Sequence, residues 1–160
     1  MVAVADSWSC SNPANGRGTS IGMLHARVLR DQLRAVGLDD PAAFAAAFHK
    51  VTAESVEPWY RTTLATDRHR LGEIEAGLAG ETYDPPDPWY QLEKALDVAS
   101  GQDPDCVRAL LGIRLVLHGP DEVFARPGLR EKTLRLGSAW RDQPALGPDR
   151  EQLLTLVSAP

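Results

Sequence analysis

Three of the four Asp-Pro pairs, Asp40-Pro41, Asp87-Pro88 and Asp103-Pro104, constrain this chain more than any other feature of it; the fourth, Asp84-Pro85, lies in a proline-rich run. An Asp carboxylate just before a helix accepts hydrogen bonds from the first free backbone N–H groups, and proline is tolerated at the first helical position, where an N–H would have no partner. Each of the three therefore predicts a helix start. The stretch after Asp40 is Ala-rich, and Phe44, Phe48 and Val51 mark its buried face. Pro58 ends or kinks that helix and then serves as an early residue of the next, which runs to Gly80; one kinked helix and two consecutive helices both satisfy the pattern. From Asp87 a helix is expected to about Ser100, and from Asp103 another to about His118, where Gly119 and Pro120 break it. Beyond, "RPG" at 126–128 and "LGP" at 146–148 divide the remainder into two or three short helices, and Asp149 followed by Gln152 has capping-box spacing for the last. "YDPPDP" at 83–88 reads as a rigid extended linker between two helical halves.

The N-terminus is different. "VAVAD" at residues 2–6 is short, β-branched and apolar, which predicts a buried strand ending at Asp6. A loop with Asn12, Pro13, Gly16 and Gly18 follows, and then Ile21, Leu24, Val28, Leu29 and Leu33 at helical spacing predict a helix from about Thr19 to Val36, stopped by Gly37. The expected fold is mostly α, about seven helices with one short N-terminal strand. Residues 1–38 form a strand, loop and helix segment, and residues 39–160 a helical region.

Composition narrows the functions. The chain of 160 residues is 43% hydrophobic, enough to build a core without disulfides. Its net charge of −5 offers no basic surface for phosphates, so nucleic-acid binding is not expected. Cys10 and Cys106 match no metal or redox spacing, and the N-terminus has no basic segment followed by an apolar one, which points to the reducing cytoplasm. The densest apolar run is broken by Arg108 and Arg114, so no membrane span is expected. His25, His49, His69 and His118 include no pair at metal-binding helical spacing, and no metal is assigned. Trp8, Trp59, Tyr60, Trp89 and Tyr90 could line a substrate pocket, although aromatics at helix starts more often pack onto a neighbouring helix. "DRHR" at 67–70 could seat a phosphate or supply an acid and a base; a solvated helix face with local ion pairs is the commoner arrangement.

A strand ending in Asp, a Gly-rich turn and a helix start together make a cradle for a ligand. The free N–H groups at a helix N-terminus favour anions or electron-rich carbonyl oxygens, Gly16 and Gly18 allow close approach to the backbone, and Asp6 can accept hydrogen bonds from sugar-type hydroxyls. In order, Asp6, Trp8, Asn12, Pro13, Gly16, Arg17 and Gly18 resemble the second flavin-binding motif of FAD-dependent monooxygenases and reductases of the para-hydroxybenzoate hydroxylase type, a group that includes geranylgeranyl reductases and tryptophan halogenases. The family pattern has Gly before the Asp, where this chain has Ala5. The resemblance implies that Asp6 binds the ribityl hydroxyls, that Pro13 shapes the loop at the ring, and that the backbone around Gly16, Arg17, Gly18 and Thr19 faces the pyrimidine edge of the isoalloxazine. It also implies FAD as cofactor, NAD(P)H as possible electron donor and a small-molecule substrate. The chain has no G-x-G-x-x-G fingerprint for the adenosine half of FAD. It is accordingly expected to be the C-terminal part of an α/β FAD-binding oxidoreductase, inactive alone, with the adenosine-binding portion upstream of Met1. The alternative is a non-catalytic helical module derived from such a tail, binding a helical partner or a second copy through the uncovered flavin-site face.

Overall fold

Asp40, Asp87 and Asp103 each accept hydrogen bonds from two backbone N–H groups of the helix that follows, so all three expected starts are real. The computed structural model describes residues 1–143, 147–148 and 150–158 and contains eight α-helices. They are α1 (Gly18–Val36), α2 (Pro41–Ser55), α3 (Glu57–Ala79), α4 (Pro88–Ser100), α5 (Pro104–Arg114), α6 (Pro120–Phe124), α7 (Leu129–Leu136) and α8 (Arg150–Ser158). The chain is mostly α, as the sequence predicts. Pro58 does not kink one long helix: Val56 caps α2 and starts α3, and its side chain is fully buried. No helix among the described residues is long and apolar enough to cross a membrane.

The expected N-terminal strand is absent; no strand occurs among the described residues. Residues 2–4 lead instead into a 3-10 turn at Ala5–Ser7. A strand requires a neighbour to pair its backbone groups, and here Ser7 does that work locally: its hydroxyl accepts from the Val4 N–H at 2.9 Å and donates to the Val4 carbonyl at 2.7 Å. Val2 and Val4 are apolar because they pack against a helical core, not because they sit in a sheet.

Among the described residues there are two cores. The first joins Ile21 and Val28 of α1 to Phe44 and Phe48 of α2 and to Val56, with Trp8, Trp59 and Val116 against it. The second joins Leu96 and Ala99 of α4 to Cys106 and Ala109 of α5, Val123 of α6 and Leu129 of α7. Gly137 closes this half so tightly that a Cβ there would lie 2.1 Å from the Ala95 carbonyl oxygen.

The linker at 83–88 falls between the two cores and is pinned to α3. His69 bonds the Tyr83 hydroxyl at 3.0 Å and the Asp87 carboxylate at 3.2 Å, while the Tyr90 hydroxyl donates to Glu73 at 2.8 Å. Tyr83 covers Gly72, where a Cβ would come within 2.4 Å of the ring. A second tie comes from the end of α5. That helix stops at Arg114, short of the expected His118, because Val116 takes a left-handed backbone (φ 60°) and the N–H groups of Leu117 and His118 turn back to the Gly112 carbonyl. The turn sends Val116 into the first core. The expected cap at Asp149 lies outside the described residues; α8 belongs to neither core, and its Leu153, Leu154, Leu156 and Val157 are exposed.

Candidate functional site

The first turn of α1 borders a solvent-open cavity of about 620 Å³. Asp6, Pro13, Gly16, Gly18 and Thr19 all line it, together with Val4, Ala5, Ser7, Ser11 and Gly22. Five of the six residues selected from the sequence therefore meet at one place. Its size is that of a small-molecule site, in the range of about 300–1,000 Å³.

Each wall has a local cause. On one side, the 3-10 turn presents Asp6 and Ser7. Opposite, Asn12 caps a second 3-10 turn at Pro13–Asn15 by accepting from the Ala14 N–H at 3.0 Å, and Gly16 ends that turn in a left-handed conformation (φ 65°). Nothing stands within 4 Å of where a Gly16 side chain would begin, whereas a Cβ on Gly18 would come within 3.0 Å of the Ser11 hydroxyl. The floor is the start of α1. Its first helical bond runs from the Ile21 N–H to the Arg17 carbonyl, which leaves the amides of Gly18, Thr19 and Ser20 without intrahelical acceptors, and among the described residues no side chain caps them. In this α1 differs from α2, α4 and α5, whose first amides are taken by Asp.

Arg17 is the exception. It does not line the cavity; its side chain is buried, with the residue only 7% exposed. Burial lowers its pKa, the charges of Glu93 and Asp67 hold it up, and that of Arg114 opposes them. Arg17 is thus buried within reach of charges on α3, α4 and α5.

Two residues that position the site carry no local signal. The carboxylate of Asp67 on α3 accepts from the side-chain amides of Asn12 at 2.8 Å and Asn15 at 3.1 Å, pinning the Pro13–Gly16 wall. "DRHR" is thereby resolved: Asp67 holds the loop, His69 holds the linker, and Arg68 and Arg70 are exposed. His25, fully buried on α1, accepts the Ala5 N–H and so holds the other wall. Ala5 has a left-handed backbone (φ 54°), unusual for a residue with a side chain. The bound Asp67 and buried His25 were visible only once the helices were in place.

The remaining candidates lie elsewhere. Trp8 packs edge-on to His25 and Tyr60; Tyr90 is buried against His69, Tyr83 and Trp140; Trp89 sits beside Phe124 with Arg130 over its ring. These aromatics are anchors between elements. Cys10 is exposed and Cys106 buried, both as free thiols. Among the described residues no cluster of His, Cys, Asp or Glu could hold a metal ion. The chain matches no known family model, no curated protein and no solved structure.

Proposed function

We propose that the cavity at the start of α1 holds the ring and ribityl end of a flavin, as part of an FAD-dependent oxidoreductase, a monooxygenase or reductase, acting in the cytoplasm on a small-molecule substrate with NAD(P)H as electron donor. One observation carries the reading: Asp6, Pro13, Gly16, Gly18 and Thr19 share one cavity on an uncapped helix N-terminus.

The donor set suits that end of the molecule. Free amides of Gly18, Thr19 and Ser20 at the positive end of α1 can donate to the pyrimidine carbonyl oxygens and favour negative charge there. The Asp6 carboxylate can accept from ribityl hydroxyls, and its charge disfavours a phosphate in the same place. The Ser7 and Ser11 hydroxyls extend the polar wall. For the adenosine half the residues do not fit: the sequence has no G-x-G-x-x-G turn. That half must come from outside these residues, and this chain alone would hold a flavin weakly. When bound, a flavin supplies hydride and oxygen chemistry; the part of this chain is to orient the ring edge and exclude water from one side.

The test is an amide chemical-shift titration with riboflavin and FMN at millimolar concentration, which detects weak binding. Shifts confined to residues 5–22, and lost in Asp6→Ala, are expected. Uniform small shifts, or an undiminished response in Asp6→Ala, would overturn the reading.

A second reading, a helical partner-binding module, is favoured by Leu71, Ile74 and Leu78, which form an exposed apolar stripe along the second half of α3. It predicts concentration-dependent sedimentation abolished by Leu71→Lys with Leu78→Lys. A chain that stays monomeric at high concentration, and captures no helical partner, would count against it.

A further inference from the structure

His25 has no solvent exposure, yet both its ring nitrogens are occupied. Nδ1 lies 3.2 Å from the Ala5 amide nitrogen, and Nε2 lies 3.1 Å from the Thr52 hydroxyl. A backbone N–H can only donate, so Nδ1 is the acceptor; the proton of the neutral ring is on Nε2, directed at Thr52. Phe48 stacks on one face with ring centres 5.1 Å apart, and Trp8 meets the ring edge-on at 5.2 Å. Among the described residues, the Ala5–His25 bond is the one hydrogen bond that joins residues 1–9 to the helices. It acts on a residue held in a left-handed backbone, flanked by cavity-lining Val4 and Asp6.

We infer that His25 is a positioning residue and a proton-operated latch: its neutral Nδ1 holds Ala5 and keeps the Val4–Ser7 wall in place, and uptake of one proton at Nδ1 releases that wall. Protonation replaces the acceptor with an N–H that faces another N–H, and it puts a positive charge between Phe48 and Trp8 with no carboxylate partner. The 3-10 turn, α1, α2 and the start of α3, which surround the ring, carry Asp6, Asp31, Glu54 and Glu57 as acids and Arg27, Arg30, Arg34, His49, Lys50, Tyr60 and Arg61 besides; it is burial that lowers the pKa of His25. The latch is a property of the chain without ligand. Only its consequence, that any ligand of the cavity is held at neutral pH and freed in mild acid, rests on the proposed function.

The direction of the pH effect follows from linkage. A buried imidazole with a lowered pKa leaves the unfolded or released chain binding more protons, so the latch is fully present above about pH 6.5 and weakens as the pH falls below it. The experiment is residue-level hydrogen exchange by NMR on the full chain at pH 7.5 and pH 5, expressed as protection factors so that the intrinsic pH dependence cancels. The expected result is at least a tenfold loss of protection at the Ala5 amide at pH 5, while α1 and α2 amides keep theirs. Equal protection at both pH values, or loss across α1 and α2 at the same pH, would overturn the inference. The variants His25→Asn and His25→Phe separate an acceptor from a filler. Asn places an oxygen near the Nδ1 position that does not titrate, and it should keep Ala5 protected at both pH values; Phe should leave Ala5 unprotected at both. Should His25→Phe not fold, the wild-type pH series with His25→Asn decides alone. Riboflavin shifts that survive at pH 5 in a chain whose wall has been released would refute the link to the site but not the latch.

Discussion

At the scale of single residues, backbone conformation explains positions that side-chain chemistry does not. Ala5 is left-handed, a geometry that costs an L-residue on the order of 1 kcal/mol. Replacing it with Gly removes that strain but enlarges the freedom of the unfolded chain, which returns about 0.4–1 kcal/mol. Ala5→Gly is therefore expected to leave stability unchanged or raise it by up to about 1 kcal/mol in urea unfolding, a rare outcome for a Gly substitution; a clear loss would mean that Ala5 is not left-handed. Gly137 behaves oppositely. Any Cβ there meets the Ala95 carbonyl oxygen at 2.1 Å, a backbone atom that cannot swing aside. Gly137→Ala should cost about 2–3 kcal/mol, read as a fall in Tm of roughly 5–10 °C. The candidate site divides along similar lines. Asp6, Pro13, Gly16, Gly18 and Thr19 are close in sequence, so their spacing alone brings them into view. Asp67 reaches the loop across 55 and 52 positions, and His25 reaches Ala5 across 20. Neither has a local signature, since Asp in a helix and His on an apolar face are both ordinary.

At the scale of elements, the helix starts were legible and the helix ends less so. A start is set by a cap and a proline adjacent in sequence, as at Asp40, Asp87 and Asp103. An end depends on what the chain meets next: α5 stops at Arg114 because Val116 turns into the other core, which no residue near 114 announces. The N-terminal strand failed for the same reason in reverse, since β-branched alternation says that residues are buried but not whether a partner strand exists. Asp87 shows how one side chain serves two elements. One carboxylate oxygen takes the Trp89 N–H at 2.8 Å, and the other takes His69 at 3.2 Å. Asp87→Ala should cost about 1–2 kcal/mol, and Asp87→Ser, which keeps an N-cap but cannot reach His69, should recover most of it. If the two variants are equally unstable in urea, the bond to His69 outweighs the cap.

For the whole molecule, acid should act in two stages. His25 is held neutral by burial, so its contribution is lost first, as the pH falls below about 6.5. The carboxylates of Asp87, which accepts backbone N–H bonds, and Asp105, bonded to Lys132, titrate below the usual carboxylate range. Their contribution is present above about pH 4 and is lost as the pH falls through their lowered values. A plot of urea midpoint against pH should therefore be flat above neutrality, fall once in mild acid and fall again below about pH 4, with His25→Asn removing only the first fall. The two cores flank the linker, and the ties between them include His69 with Tyr83 and Asp87, Glu73 with Tyr90 and Lys94, and Val116. α8 stands apart from this economy. Its leucines support neither core, so a library of variants selected purely for folding should accept Ser, Gln or Lys at Leu153, Leu154, Leu156 and Val157 freely. Any intolerance found there, in cells but not in the test tube, would trace the imprint of another molecule on this chain.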